Sequence, residues 1–440
     1  KKFYPTFIKN KKKLSYVAIS ADILHEGHIN ILKVASKYGN VFVGLLTDKA
    51  ISSYKQLPYL NFQQRKLIVE NIKYVDKVIP QHSLDHTENL QKIKPDYVVH
   101  GDDWRSGVLK KTRLKVIKTL SRWGGKLIEP KYSKDISLTQ FKKKIYEVGS
   151  SPNIRRERLI RLINSKRIVR ILESHSPLTG LIIEKLKISV KNQECEFDGM
   201  WSSSLTDSTL RGKPDNQAVD YSTRINALGE TLDVTTKPVI FDADNGGRPE
   251  HIAYLIKTID RLGVSAVIIE DKSGLKKNSL FKDQSGAKQD SINNFCKKIK
   301  KASEAKTSSD FLVIARIESL ILNNGMKDAL RRADAYSQAG ADMIMIHSKN
   351  NSPKEILDFA KKFKKSKFFK PMVAVPSTYS AIKESTLIKY GFKIVIYANH
   401  LLRASYPAMM EVAKKILLNQ RSKEIEKKII SVKEILTLIK

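Results

Sequence analysis

The fold is decided by residues 264–279, which read Val-Ser-Ala-Val-Ile-Ile-Glu-Asp-Lys-Ser-Gly-Leu-Lys-Lys-Asn-Ser. The apolar run at 264–269 follows Gly263 and is rich in Val and Ile, which predicts a buried parallel strand. Polar residues begin at Glu270, where this strand ends, and in a barrel of alternating strands and helices that edge carries the active site. A carboxylate there could bind a hard cation, and the lysines with Asn278 could bind an anion. A solvated loop is the alternative for this stretch taken alone.

A second stretch has the same design. Residues 239–247 read Val-Ile-Phe-Asp-Ala-Asp-Asn-Gly-Gly, an apolar strand followed by acids and glycines. Asp242 and Asp244 are two residues apart, so both point the same way from a strand end. With Glu270 they form an all-oxygen site, which suits Mg²⁺ as the cofactor. Acid pairs at turns also occur without a metal, but two successive acid-tipped strands make the prediction more specific.

The two motifs also carry a resemblance. The patterns E-D-K-x3-K-x-N-S and D-A-D-N-G-G resemble those of phosphoenolpyruvate mutase in the isocitrate lyase superfamily, over roughly the last two thirds of the chain. Lyases of that superfamily usually carry Cys-Gly-His in this loop, where this chain has Lys277-Asn278-Ser279. The resemblance implies a (β/α)8 barrel that interconverts phosphoenolpyruvate and phosphonopyruvate.

The same resemblance assigns residues to roles in the barrel. Substrate would bind to the segment after the first predicted strand, at Trp201, Ser203, Ser204 and Leu205. The predicted metal ligands are Asp242, Asp244 and Glu270. The predicted catalytic residues are Asp215, Lys276, Asn278, Arg316 and His347. Of these, the Arg, the His and the Asn would hold the phosphoryl oxygens, and Asp215 would orient the migrating group.

Alternation of apolar runs and helical patterns supports this fold class. Helical patterns such as 250–262 and 328–339 separate the predicted strands, which end at Trp201, Phe241, Ile269, Ala315, Ile346, Val375 and Tyr397. A turn-rich break at 149–153 precedes a predicted basic helix at 155–173. We therefore predict two domains, residues 1–148 and 149–440. The chain after Ala398 predicts an amphipathic helix, and by the resemblance a late helix swaps between subunits of a homo-oligomer, a dimer or tetramer.

The N-terminal part begins with a predicted strand at 14–20, then His25-Glu26-Gly27-His28 and a helical pattern. A helix N-terminus favours phosphate through its free N–H groups and its dipole. Two imidazoles beside it can donate hydrogen bonds to oxygens that gain charge during a transfer. Gly27 lets the chain approach closely. A strand, H-x-G-H and a helix are the arrangement of the HxGH nucleotidyltransferases, which have a Rossmann-like fold.

The order of elements over about the first 145 residues resembles the cytidylyltransferases of the glycerol-3-phosphate and ethanolamine-phosphate type. The resemblance implies that His25 and His28 stabilise the transferring α-phosphate, with CTP as co-substrate. The residues implied in nucleotide or phosphate binding are Asp22, Arg65, which is predicted to open a helix, Asp103, Trp104, Ser137 and Thr139. The sequence departs from the family at 20–22 and in its phosphate loop, where Asp135 replaces Gly, Leu138 replaces a hydroxyl residue and the Arg is missing. Lys131 or Lys134 could substitute for that Arg as a point charge.

Composition limits the class of protein. The chain has 440 residues, two cysteines far apart in sequence, and a net charge of +35. The cysteines form no disulfide framework or zinc pattern and predict a reducing, cytoplasmic location. No apolar run is long enough to span a bilayer, so we expect no membrane partner. The lysines are scattered over the whole chain and no nucleic-acid motif is present, so we expect no nucleic-acid partner.

The sequence therefore predicts a bifunctional enzyme of phosphonate biosynthesis. The barrel would form the C–P bond, and the N-terminal domain would transfer CMP from CTP to a small phosphonate such as 2-hydroxyethylphosphonate or 2-aminoethylphosphonate. A phosphonopyruvate hydrolase or a 2-oxoacid C–C lyase is the nearest competing function for the barrel, and Asn278 argues against both. Two more functions stay open: an N-terminal domain that binds CTP with low activity, and a basic scaffold with decayed sites that binds nucleic acid.

Overall fold

The computed structural model describes residues 13–105, 109–131, 151–190 and 193–439. The chain divides into two compact units. The first, here called the N-terminal unit, contains residues 1–148 with 160–167 and 187–195. The second, the barrel unit, contains residues 149–159, 168–186 and 196–440. The exact domain bounds, 1–148 and 149–440, stay a prediction.

The N-terminal unit is built on a parallel five-stranded sheet with the order β3-β2-β1-β4-β5. The central strand β1 is buried over almost its whole length, as expected for a parallel strand covered by helices on both faces. The strands are β1 Leu14–Ile19, β2 Asn40–Leu46, β3 Lys77–Gln81, β4 Tyr97–Val99 and β5 Lys126–Ile128. The helices are α1 Glu26–Ser36, α2 Asp48–Ser52, α3 Phe62–Glu70, α4 Thr87–Ile93 and α5 Lys110–Leu120, with a 3-10 turn at Asp102–Arg105.

The barrel unit contains eight parallel strands that close in the order β10-β11-β14-β15-β16-β17-β6-β9. These strands are β6 Val169–Glu173, β9 Gly199–Ser202, β10 Val239–Asp242, β11 Ala266–Glu270, β14 Leu312–Ile317, β15 Met343–Ile346, β16 Met372–Ala374 and β17 Phe392–Tyr397. Two short hairpins complete the strands: β12 Lys272–Ser273 with β13 Lys288–Gln289, and β7 Lys187–Val190 with β8 Gln193–Glu196, whose residues 187–195 belong to the N-terminal unit. The closed barrel confirms the predicted fold class.

Helices connect the barrel strands and cover them with apolar faces. They are Pro177–Lys185, Ser204–Leu210, Tyr221–Asp233, Ile252–Arg261, Ile292–Glu304, Gly325–Gln338, Lys354–Phe363 and Glu384–Tyr390. The helix Pro152–Ser165 precedes β6. After β17 come the helix His400–Asn419, a 3-10 turn at Glu426–Lys428 and the helix Val432–Leu438. No helix in the described ranges is long and apolar enough to cross a membrane.

Two local predictions are wrong. The helix predicted at 155–173 ends at Ser165, and residues 169–173 form β6, so Trp201 belongs to the second barrel strand rather than the first. A short apolar run such as Ile168–Leu172 fits both helical and strand periodicity, and closure of the barrel decides for the strand. Arg65 does not open a helix, because α3 begins at Phe62, behind the side-chain cap of Asn61.

Candidate active sites

Three acids lie at the carboxyl ends of neighbouring barrel strands. Asp242 ends β10, Asp244 follows it in a left-handed conformation with φ +49°, and Glu270 ends β11. All three are buried. Asp242 accepts hydrogen bonds from the Ser204 hydroxyl at 3.0 Å and from the backbone N–H of Asp244 at 3.0 Å. Burial alone would raise the pKa of Asp242, but the positive charges of Lys276 and its neighbours lower it.

Glu270 differs from the two aspartates. Both of its carboxylate oxygens are buried without a hydrogen-bond partner, although Arg316 Nη2 lies 3.1 Å from Oε2. Burial raises the pKa of Glu270 to about 7, against the opposing charge of Arg316. A buried carboxylate with free oxygens is suited to receive a cation or the water molecules around one.

The donor set fits Mg²⁺, but not as a closed cage of three side chains. Among the described residues no group of three or more His, Cys, Asp or Glu side chains is arranged to hold a metal ion by itself. Mg²⁺ usually keeps several waters and binds through one or two carboxylates together with the substrate. Asp242, with Asp244 and Glu270 around it, meets that requirement.

The loop at 274–287, between β12 and β13, brings a cation and an amide into the acidic rim. The Lys276 ammonium donates to Asp215 at 3.0 Å and makes very short contacts with Ser204 and Asp244. Burial opposes its charge, but the carboxylates of Asp244, Asp242 and Asp215 raise the pKa of Lys276, so it stays protonated. Asn278 Nδ2 donates to the other oxygen of Asp215 at 2.6 Å.

Arg316 and His347 meet on the next two strands. Arg316 Nη2 lies 2.9 Å from His347 Nδ1, and both residues contact the buried carboxylate of Glu318, the Arg through Nε at 2.6 Å and the His through Nδ1 at 3.1 Å. Burial and the adjacent Arg316 lower the pKa of His347, which favours the neutral imidazole. Sequence reasoning gave Glu318 no role. Its spacing of two from Arg316 was the available signal, because alternate residues point the same way from a strand end.

Arg224, on the helix Tyr221–Asp233, was also missed. Its guanidinium is buried, pairs with Asp207 at 2.8 Å and Asp244 at 3.4 Å, and lies 4.4 Å from the centre of the Phe241 ring. Nothing in the sequence marks it, because it lies within an ordinary helical pattern far from any strand end.

The segment after β9 lies beside these groups. Trp201 is a buried residue of β9, Ser203 precedes the helix that begins at Ser204, and Ser204 reaches Asp242. Leu205 lines a cavity of about 740 Å³ together with Asp215, Lys276 and Asn278. The structure thus brings the sequence-predicted barrel residues to one rim, and Trp201 is buried within β9.

In the N-terminal unit, His25 caps α1 by accepting from the Gly27 backbone N–H at 3.1 Å. His28 Nδ1 lies 3.4 Å from the His25 backbone N–H, and the two ring centres are 4.0 Å apart. A Cβ at Gly27 would come within 2.9 Å of the His25 ring, so a larger residue would displace that ring from its capping position. Burial lowers the pKa of both imidazoles, that of His28 to about 4.

A pocket of about 330 Å³ opens beside these histidines and is lined by Lys55, His86, His100, Asp103, Trp104 and Lys131, among others. The rings of His100 and Trp104 stack at 3.8 Å with an interplanar angle of 6°. The Trp104 indole N–H donates to Glu129 at 2.8 Å, which fixes the ring. Asp103 and Trp104 therefore line the same pocket as the histidine pair, and their role in nucleotide or acceptor binding stays a prediction.

The four other predicted nucleotide-binding residues do not line this pocket in the described structure. The Arg65 guanidinium is fully buried, donates to the carbonyls of Ser20, Leu46 and Leu60 and pairs with Asp48, so the structure contradicts a phosphate contact for it. Asp22 accepts from the backbone N–H of Tyr59 at 2.7 Å and holds that loop. Ser137 and Thr139 lie outside the described residues.

Comparison with known proteins assigns both parts of the chain. A family model for phosphoenolpyruvate phosphomutase matches residues 159–417, and one described as cytidylyltransferase-like matches residues 20–157. The phosphoenolpyruvate phosphomutase of Tetrahymena pyriformis is 34% identical over 63% of this chain and 88% of that protein. A crystal structure of phosphonopyruvate hydrolase in complex with oxalate and Mg²⁺ has 31% identity and a TM-score of 0.58, covering 64% of this chain and 94% of that one.

For the N-terminal part, a glycerol-3-phosphate cytidylyltransferase of Staphylococcus aureus is 38% identical over 85 residues, which are 19% of this chain and 64% of that protein. Fold and matches together define an enzyme that joins a cytidylyltransferase-like domain to a parallel eight-stranded barrel. The chain belongs to the phosphoenolpyruvate phosphomutase family.

Proposed function

We propose that the barrel converts phosphoenolpyruvate to phosphonopyruvate and back. The observation that carries this proposal is the contact of Asn278 and Lys276 with the two oxygens of Asp215 beside the acidic rim. Phosphoryl transfer needs positioning and charge stabilisation more than covalent help from the protein. The Lys276 cation on this loop can stabilise charge, and the Asn278 amide can position the phosphoryl group as it leaves oxygen and bonds to carbon.

Each side chain has a place in that reaction. Mg²⁺, when held by Asp242 with Asp244 and Glu270, supplies positive charge to the enolate oxygens of pyruvate. Arg316, His347 and Asn278 donate hydrogen bonds to the phosphoryl oxygens, and Lys276 adds a fixed charge. Asp215 orients the migrating group through the contacts it already makes with the loop. Ser203, Ser204, Leu205 and the backbone after Trp201 bind the carboxylate end of the substrate.

Hydrolysis of phosphonopyruvate is the second candidate, because a phosphonopyruvate hydrolase is among the similar structures. The two reactions share substrate and metal and differ in whether the phosphoryl group that leaves carbon meets the enolate oxygen of pyruvate or water. Incubation of the protein with phosphonopyruvate and Mg²⁺ separates them, because ³¹P NMR resolves phosphoenolpyruvate from inorganic phosphate. Asn278→Ala should remove most of the phosphoenolpyruvate formed, and a variant of undiminished rate would contradict the role given to Asn278.

For the N-terminal unit we propose transfer of CMP from CTP to a small phosphonate with release of pyrophosphate. His25 and His28 at the N-terminus of α1 would donate to the α-phosphate, with Asp22, Asp103 and Trp104 near the nucleotide or acceptor. Ser137 and Thr139 would bind phosphate groups of the nucleotide. The acceptor candidates are 2-hydroxyethylphosphonate and 2-aminoethylphosphonate.

The test of this second activity is pyrophosphate release from CTP in the presence of each phosphonate. His28→Ala should lower the rate by about 10²–10³, the usual cost of losing one preorganised donor. His82→Ala is the matched control, because His82 is an exposed histidine of the same unit. Equal rates in the two variants would contradict the role proposed for His28.

We also propose that the protein is a homo-oligomer in solution. The helix His400–Asn419 has no buried residue and exposes Tyr406, Met409, Leu417 and Leu418. Contact with a second subunit would bury these apolar side chains. Sedimentation at several protein concentrations tests this.

The two free cysteines, Cys195 and Cys296, fit a reducing compartment such as the cytoplasm.

A further inference from the structure

Four polar side chains surround the carboxylate of Glu318, although it makes no predicted contact with substrate. It is fully buried just after β14 and lies 2.6 Å from Arg316 Nε, 3.1 Å from His347 Nδ1 and 3.2 Å from Lys272 Nζ. Its fourth partner is the hydroxyl of Ser279, which donates to Oε2 at 2.5 Å. Arg316 lies on β14, His347 directly follows β15 and Lys272 lies on β12, whereas Ser279 belongs to the loop at 274–287.

Ser279 attaches that loop to the strand that carries Arg316. Its oxygen accepts from Lys272 Nζ at 2.6 Å and from Arg316 Nη2 at 2.8 Å while its proton goes to Glu318, so the one donor and both lone pairs of the hydroxyl are used. Ser279 is 2% exposed, whereas Leu275 and Phe281 on the same loop are 73% and 62% exposed. Ser279 and Lys276 are thus the buried attachments of a loop whose other side chains include exposed apolar ones, and Ser279 is the attachment that reaches Arg316 and Glu318.

We propose that Ser279 is the latch of this loop and that Glu318 is the positioning residue that receives it. The inference rests on the proposed mutase function of the same rim. When the latch is closed, Lys276 and Asn278 are held against Asp215, and the same carboxylate orients Arg316 and His347. Closure of the loop and alignment of the phosphoryl-binding donors are therefore one event.

The latch has a chemical consequence. With the loop fastened, the phosphoryl group that leaves carbon can meet only the enolate oxygen of pyruvate, which gives phosphoenolpyruvate. With the loop open, water competes: the C–P bond breaks, a P–O bond to water forms, and the enolate takes up a proton to give pyruvate and inorganic phosphate. Loss of the latch should therefore change the ratio of products as well as the rate.

Ser279→Ala tests the latch with phosphonopyruvate and Mg²⁺, and ³¹P NMR measures inorganic phosphate relative to phosphoenolpyruvate. We expect this ratio to rise roughly tenfold, the effect of one lost hydrogen bond to charged groups on loop closure. Ser285→Ala is the matched control, because Ser285 lies on the same loop, is exposed, and its hydroxyl donates only to Asp283 on that loop. Ser279→Thr keeps the hydroxyl and should restore the wild-type ratio.

Glu318→Gln tests the role of the carboxylate that accepts the Ser279 hydrogen bond. If Ser279 acts through Glu318, the double variant Ser279→Ala/Glu318→Gln should show a product ratio well below the product of the two single effects. Independent, fully multiplicative effects would remove Glu318 from the proposal. A wild-type ratio in Ser279→Ala would overturn the latch itself.

A second readout does not need turnover. Lys282 on the loop is exposed, so trypsin cleavage there, measured by mass spectrometry in the presence of Mg²⁺ and oxalate, reports an open loop. Cleavage in Ser279→Ala should be roughly tenfold faster than in wild type and in Ser285→Ala. If wild type forms no phosphoenolpyruvate, the proposed function fails while this assay still decides the latch; equal cleavage rates in all three proteins would overturn it.

Discussion

At the scale of single residues, the barrel site depends on a strained aspartate. Asp244 has φ +49°, a conformation that few non-glycine residues adopt and that neighbouring contacts must hold. Those contacts are the ion pairs with Lys276 on the loop and Arg224 on the helix Tyr221–Asp233. Gly246 follows with φ +72°, and a Cβ there would come within 2.8 Å of Ile252, so the turn needs glycine.

Replacement of Arg224 should show how much this arrangement contributes to stability. Arg224→Met removes the buried positive charge that faces both Asp207 and Asp244 and leaves two carboxylates without it. We expect a loss of about 3–5 kcal/mol in the free energy of unfolding, as for other broken buried ion pairs. Urea denaturation measures it, followed by tryptophan fluorescence in a Trp104→Phe/Trp123→Phe background in which Trp201 is the one remaining tryptophan. Arg261→Met, at an exposed position of the same unit, is the control, and equal losses in both variants would contradict this account.

Sequence reasoning worked at the residue scale where spacing has a geometric meaning. Asp242, Asp244 and Glu270 were identifiable because each follows an apolar run, and parallel strands bring such ends together. Arg224 was not, because a buried ion pair between a helix and a strand end leaves no periodic trace. Arg65 was misassigned because a motif gives its residue type and not the four acceptors that surround its guanidinium.

At the scale of elements, the periodicity of apolar residues identifies most strands but does not separate a short strand from the end of a helix. Seven of the eight barrel strands were recognisable as short apolar runs between helices, and β6 was read as the end of a helix. The N-terminal pair β1–α1 was recognisable because H-x-G-H stands between an apolar run and a helical pattern. In the structure His25 is the N-cap of α1 and His28 is its third residue, and the two form a reciprocal capping box.

Burial of histidines around that pair makes the N-terminal unit sensitive to acid. Burial lowers the pKa of His28 to about 4 and of His86 to about 3, below the value near 6.5 in an unfolded chain. As pH falls from about 6.5 to 4, the unfolded chain binds protons that the folded unit does not, so the free energy of unfolding decreases. Above that window these groups have no effect.

We expect His28 alone to contribute a loss of roughly 3 kcal/mol by pH 4. Hydrogen exchange of the β1 and β2 amides at several pH values measures the stability of this unit. His86→Gln should flatten the pH dependence, and His82→Gln, at an exposed position, should leave it unchanged. The same slope in both variants would mean that other groups cause the sensitivity.

At the scale of the whole molecule, one chain combines two folds, and their candidate sites suit two different transfers of phosphorus-containing groups. The barrel offers acids, a loop cation and an amide, which suit transfer of a phosphoryl group between oxygen and carbon. The N-terminal unit offers neutral imidazoles at a helix N-terminus, which suit transfer of a nucleotidyl group. A phosphonate made by the first activity and processed further could become an acceptor for the second, so both activities would serve one pathway.

The central claim is that the barrel makes and breaks a C–P bond without water. The most direct measurement is ³¹P NMR of the purified full chain with phosphonopyruvate and Mg²⁺. We predict that the phosphonate signal is replaced by that of phosphoenolpyruvate. Accumulation of inorganic phosphate instead would contradict this claim and would assign the barrel to phosphonate hydrolysis.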